Sequence, residues 1–186
     1  LGYGVFDKVR ESHPTRFFNV GISEQAMVDM AAGLAAAGRR PVCYSIASFL
    51  TGRAFEQIRM AALDGWPILY VGAGGGYCYG PAGPSHHAPD DLALMGLIPG
   101  MTVLCPGSPS EVAALLPQAL ALLGPCYLRV GRFGEPEFQV RGSDGVAIGQ
   151  PRLIRFGRTM LLTLGEATSG LVASVGECEH YHFHTL

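Results

Sequence analysis

Two acid–base side chains stand out by their settings. Glu24 lies within Arg16-Phe-Phe-Asn-Val-Gly-Ile-Ser-Glu-Gln-Ala-Met27, a short extended run that turns at Gly21 and enters a helix at Ser23. Serine suits the N-cap, where its side-chain oxygen can accept an orphan backbone N–H. Glu24 then falls in the first turn, where the helix dipole favours a carboxylate. On these residues alone, Glu24 complements that dipole and no more. His86 sits in Gly83-Pro-Ser-His-His87. An imidazole titrates near neutrality and can move protons there, although an ordinary loop histidine is simply solvated. His87 is expected to point elsewhere, because adjacent side chains seldom converge on one ligand, and two neighbouring histidines make a poor metal site.

Other chemistry-bearing residues read more plainly. Phe49 reads as a core phenylalanine at a strand end, Arg53 and Arg59 as helix-surface residues, and Arg132 as a linker arginine. Gly72-Ala-Gly74 follows a strand, which invites a nucleotide-binding reading. No glycine occupies the sixth position, no helix follows directly, and Pro81 and Pro84 intervene, so the dinucleotide fingerprint fails. A mobile loop bordering a site is the better account. Cys43, Cys78, Cys105, Cys126 and Cys178 are scattered, odd in number and without a CxxC pair. Four fall in or beside apolar runs, which points to buried thiols in a reducing cytosol rather than to disulfides or zinc. His180-Tyr-His-Phe-His184 would place three imidazoles on one side if extended, enough to bind a metal adventitiously. The tail reads as a disordered or non-native end.

The elements that must position these residues follow from periodicity. Asp7 to Ser12 is a short helix ended near His13-Pro14. Ala26, Met27, Met30, Ala31 and Leu34 recur at helical spacing until Gly38, and the small residues from Ala31 to Ala37 allow close approach of another backbone. Strands are expected over Val42 to Ile46, Ile68 to Val71, Met101 to Leu104 and Cys126 to Val130. Helices are expected over Leu50 to Leu63, Asp90 to Leu97 and Pro109 to Leu122, with Gly72 to Pro84 a loop. Continuously apolar strands alternating with helices predict an α/β fold: a mostly parallel sheet covered by helices on both faces. Three segments follow: an α/β domain over 1–132, a linker over 133–157 rich in glycine, proline and charge, and 158–186, with a strand at Arg158 to Leu164 and a helix at Ala167 to Val175. The last segment looks too short to close a core of its own.

The chain has 186 residues, 48% hydrophobic and 15% charged, with a formal net charge of −2. It is core-rich and is expected to bury part of its surface against a partner. That charge gives no electrostatic case for nucleic acid or an anionic membrane. No apolar run approaches the length of a membrane span, and a cytoplasmic setting is expected. The first residue is Leu1 rather than methionine, so the N-terminus is read as cut.

The run Phe18-Asn-Val-Gly-Ile-Ser-Glu-Gln resembles the signature around the cofactor-activating glutamate of the transketolase family, which includes transketolases, deoxyxylulose-phosphate synthases and the β subunits of 2-oxo acid dehydrogenases. The likeness continues in order through Gly38-Arg-Arg-Pro41, Ala47-Ser-Phe-Leu-Thr-Gly-Arg-Ala-Phe-Glu-Gln-Ile-Arg59, Gly83-Pro-Ser-His-His87 and Pro99-Gly-Met-Thr-Val103. It implies the thiamine-diphosphate-binding, pyrimidine-type fold. It also implies that Glu24 presses a carboxyl group against the aminopyrimidine ring nitrogen, sharing a proton in a desolvated pocket. Phe18, Val20, Ile22 and Met27 are the apolar neighbours expected to shelter it. By the same resemblance Phe49 stacks on the pyrimidine, and Ile46 stands where transketolases often have a second aromatic. His86 faces the thiazolium and moves protons on a small-molecule substrate, and Arg132 matches a position that holds substrate phosphate. Transketolases place a histidine near position 74 and an acid near 82 to read the donor's hydroxyls. Gly74 and Ala82 stand here, which implies an altered donor or a shorter 2-oxo acid.

The family's Gly-Asp-Gly…Asn motif, which binds Mg²⁺ and the diphosphate, is absent, and Asp144-Gly145 lacks the rest of it. Hard oxygen ligands must therefore come from another chain or from a removed N-terminal region; as a split enzyme, a companion subunit supplies them, with the Ala-rich helix after Glu24 as its contact surface and a heterotetramer or a dimer of halves as the assembly. Family members open this domain with a strand that would precede Leu1, so the chain is expected to be a fragment or a truncated product. The enzyme implied transfers a two-carbon ketol or acyl unit. The rivals are a 2-oxo acid dehydrogenase β-like or deoxyxylulose-phosphate-synthase-like subunit, and a non-catalytic assembly subunit.

Overall fold

The computed structural model describes residues 4–132, 134–138, 145–174 and 176–186. After α1 (Asp7–Ser12), helix α2 (Glu24–Ala36) leads to β1 (Val42–Ile46). Ser23 stands at the N-cap of α2 without a side-chain cap bond; its carbonyl starts the ladder by accepting Met27 N–H at 3.0 Å. The single helix expected after β1 is instead a π turn (Phe49–Arg53) followed by α3 (Phe55–Leu63). Gly52 lies inside the π turn, and Thr51 Oγ1 donates to the Ala47 carbonyl at 2.9 Å, two local reasons for the regular α pattern to fail there. Then come β2 (Leu69–Ala73), α4 (Asp91–Gly96), β3 (Thr102–Leu104), α5 (Pro109–Ala121) and β4 (Cys126–Val130). Helix α5 starts with proline at its first position, and Ser108 Oγ accepts Glu111 N–H at 3.4 Å.

These four strands form one parallel sheet in the order β1-β2-β4-β3, as the alternation of strands and helices predicts. Side chains alternate between its faces. Tyr70, Val103 and Tyr127 pack with Val28, Ala31, Ile58 and Met95 from α2, α3 and α4. Leu69, Leu104 and Leu128 pack with Leu115 and Ala119 of α5. Cys43, Cys105, Cys126 and Cys178 are buried and free, and Cys78 is half-buried. Burial pushes the Cys43, Cys105 and Cys126 thiols up to about 12.

The C-terminal part departs from expectation in two places. Strand β5 (Arg152–Arg155) falls inside the stretch read as linker, and Val146 and Ile148 pack on the α5 face of the sheet. Residues 133 and 139–144 of that stretch, Asp144 among them, lie outside the described residues, as does Val175 at the end of the expected last helix. After β6 (Thr159–Leu164) and α6 (Ala167–Ser174), the tail is neither disordered nor foreign to the fold. It forms β7 (Cys178–Phe183), the middle strand of a β5-β7-β6 sheet, antiparallel to β5 and parallel to β6. His180, His182 and His184 share one face, as an extended tail requires, but they are 0%, 0% and 1% exposed. His180 Nε2 lies 2.7 Å from Thr163 Oγ1, His182 Nδ1 2.7 Å from Thr168 Oγ1, and His182 Nε2 2.8 Å from Glu111 Oε2. His180 and His182 are thus held in a packed polar seam, which orders the tail. This small sheet closes its core by leaning on the first unit: Cys105 N–H donates to the His184 carbonyl at 2.8 Å and Leu186 N–H to the Val103 carbonyl at 3.0 Å.

Candidate active site

In a parallel sheet all strand C-termini lie on one side, and ligands gather there. Strands β1, β2 and β4 are neighbours, so the π turn, the glycine loop and Arg132 meet above one edge of the sheet. Glu24, at the start of α2, is 5% exposed. Ser45 Oγ, from the buried face of β1, donates to its Oε1 at 3.2 Å, and Arg53 Nη1 donates to its Oε2 at 3.1 Å. From there a row of side chains extends away. The Arg53 guanidinium lies 3.8 Å over the Phe49 ring, and the Phe49 and His86 rings meet at 5.0 Å and 61°. His86 is 5.6 Å from the Tyr79 ring, over which the Arg132 guanidinium lies at 4.4 Å.

The row therefore gathers Glu24, Phe49, His86 and Arg132, which are far apart in the chain. Ile46 ends β1 half-buried opposite Ala73 and stays outside the row. His87 does point elsewhere: its Nε2 donates to the Gly80 carbonyl at 3.0 Å, and its ring meets Tyr77 edge-on. Arg59 is exposed, as expected of a helix-surface residue. Arg53 corrects that same expectation, because the π turn swings its side chain back onto Glu24. The expected shelter is also different. Phe18 and Ile22 are 58% and 78% exposed while Val20 and Met27 are half-buried, and Ser45 and Arg53 of the π turn hold the carboxylate by hydrogen bonds. Ser45 and Tyr79 went unnoticed in the sequence, and Arg53 was read only as a helix-surface residue. Their only local signals were the inward register of β1 and the four-residue spacing of Phe49 and Arg53.

The glycine loop is pinned rather than loose. Gly76 and Ala88 exchange two backbone hydrogen bonds of 2.8 Å at its neck, and a short 3₁₀ turn at Gly80–Ala82 shapes its middle. Ser48 Oγ donates to the Ser85 carbonyl at 3.4 Å, and Ser85 Oγ lies 3.0 Å from His86 Nδ1. Gly74 has φ +70°, and the Tyr79 ring fills the space that a side chain there would need. Among the described residues no three His, Cys, Asp or Glu side chains converge to hold a metal ion. No described helix is long and apolar enough to cross a membrane.

Residues 3–133 match the model of the transketolase pyrimidine-binding domain. The chain belongs to the transketolase family. Its pyrimidine-binding domain places it in the thiamine-diphosphate-dependent superfamily. It is 37% identical over 161 residues to the 1-deoxy-D-xylulose-5-phosphate synthase of Gloeobacter violaceus, covering 84% of this chain and 25% of that protein. It is 32% identical over 161 residues to an apulose-4-phosphate transketolase subunit of Actinobacillus succinogenes, covering 86% of this chain and 51% of that one. Among solved structures, a split-gene transketolase described as an inactive β4 tetramer superposes with a TM-score of 0.82 at 29% identity, covering all of this chain and 63% of that one. The chain thus spans about a quarter to a half of these two curated relatives. The residues present fit an aminopyrimidine. A carboxylate offers about four acceptor positions, of which Ser45 and Arg53 occupy two, and Phe49 presents a half-buried ring nearby.

Proposed function

We propose that the chain is the pyrimidine-binding half of a split, transketolase-like enzyme that transfers a two-carbon ketol or acyl unit, with Glu24 as the carboxyl that activates thiamine diphosphate. The observation that carries this reading is a buried Glu24 at one end of a row running through Phe49 and His86. When bound, the cofactor supplies a carbon nucleophile toward the donor's carbonyl. Glu24 holds a proton against the ring nitrogen, its burial keeps water from competing, and Ser45 fixes one of its oxygens. Arg53, partly exposed, is the partner that would give way to the ring, and Phe49 would stack on it. Ser85 orients His86 through Nδ1, leaving Nε2 to exchange a proton with the substrate. Arg132, at the far end of the row, meets an anionic substrate group such as a phosphate.

The diphosphate and Mg²⁺ ligands come from a companion subunit. Phe18, Ile22 and Met30 are exposed on α2 and its approach, and offer apolar side chains to that companion. A heterotetramer or a dimer of halves follows. Similarity to a deoxyxylulose-phosphate synthase, together with Gly74 and Ala82 in the donor-reading positions, favours a short 2-oxo acid as a second donor class. The test is reconstitution with the companion and the cofactor, scanning ketose phosphates and 2-oxo acids. Glu24→Gln is expected to lower turnover by about 10²–10⁴-fold. Unchanged turnover would leave the chain a non-catalytic assembly subunit.

A further inference from the structure

We propose that Arg129 is a positioning residue that holds the His86 loop by its neck and ties it to the C-terminal sheet through Glu166; the importance of that loop rests on the reading of His86 above. Arg129 lies in β4 opposite Gly72, at the root of the loop. Its guanidinium lies against Gly75, and a Cβ on Gly76 would stand 2.7 Å from Nη2. Only bare backbone fits there, which accounts for consecutive glycines better than flexibility does. Gly76 is the neck residue that pairs with Ala88.

The same guanidinium reaches two carboxylates from different parts of the fold. Its Nε is 3.4 Å from Oδ2 of Asp91, an ion pair without the alignment of a hydrogen bond, and its Nη2 is 3.3 Å from Oε1 of Glu166. Asp91 is fully buried three residues beyond the neck. Its Oδ2 also accepts the Tyr127 hydroxyl at 2.7 Å, and its Oδ1 accepts Leu92 N–H at 2.8 Å. Glu166 lies in the turn that joins β6, a strand of the C-terminal sheet, to α6. One planar fork thus meets the loop neck, the start of α4 and the third segment at once, a task a lysine's point charge cannot reproduce. Loosening any arm shifts the neck, and with it the placement of His86 against Phe49.

The test uses Arg129→Lys and Glu166→Gln in the whole chain, alone and with the companion subunit. In the chain alone, the Gly76 and Ala88 amides are expected to exchange at least about tenfold faster while β1 and β2 amides keep their protection. The His86 ring signals in NMR are expected to shift with them. In the reconstituted enzyme kcat falls about tenfold with KM nearly constant. Unchanged exchange and unchanged His86 signals in both variants would overturn the proposal. Faster exchange with full turnover would keep Arg129 as the loop's anchor and remove His86 from the chemistry instead. Glu166→Gln leaves the buried Asp91 paired, so it decides the matter if Arg129→Lys fails to fold.

Discussion

Arg53 and Glu24 form an ion pair of 3.1 Å in which the carboxylate is 5% exposed and the guanidinium side chain 43% exposed. The partners are unequal: water screens one, while the other depends on its neighbours. Arg53→Met leaves Glu24 with Ser45 alone and uncovers the Phe49 ring. A double-mutant cycle with Glu24→Gln is expected to give a coupling of about 1 kcal/mol in urea denaturation, above a typical surface pair and below a fully buried one. A coupling of zero would mean that the π turn, not the pair, holds Arg53 in place.

Gly74 carries two separable penalties against any side chain. Its φ of +70° is the left-handed region, where an L-residue costs roughly 1–2 kcal/mol. The Tyr79 ring then occupies the Cβ position. Gly74→Ala is therefore expected to destabilise by about 2–4 kcal/mol in chemical denaturation, combining both costs. In a Tyr79→Ala background only the backbone share should remain. If the penalty is the same in both backgrounds, Tyr79 is not what excludes a side chain at 74.

The seam between the two sheets should make stability fall in acid. Burial alone would push the Glu111 carboxyl up, but hydrogen bonds from His182, the Gly107 amide and Arg152 outweigh it and bring it down to about 2. Because the folded value lies below the unfolded 4.5, the stabilisation is complete above pH 4.5 and is lost as pH falls toward 2. The slope from this one group cannot exceed about 1.4 kcal/mol per pH unit. Burial likewise pulls His180 and His184 down from 6.5, so they add acid sensitivity below that pH. Urea unfolding between pH 2.5 and 7 is expected to show a shallower acid limb for Glu111→Gln below 4.5, with the histidine part retained. An identical slope in both proteins would assign the acid loss elsewhere.

Much of this protein could be read from its order of residues because the signals are local. Continuously apolar runs at Val42 to Ile46 and Cys126 to Val130, and the proline that opens α5, each act within a few neighbours. So does the Gly-Ile-Ser-Glu run that sets Glu24 in the first turn of α2. What the sequence could not reveal depends on pairs brought together by folding. Arg53 meets Glu24 only because a π turn rotates it inward. Arg129 meets Glu166 across 37 residues of chain, counted from the two positions. His180 and His182 of the tail looked polar and unplaced because their partners, Thr163, Thr168 and Glu111, lie on other elements. A hydrogen bond between distant segments leaves no periodic trace in either one. Only the packed structure, by excluding water from both ends, decides that it forms.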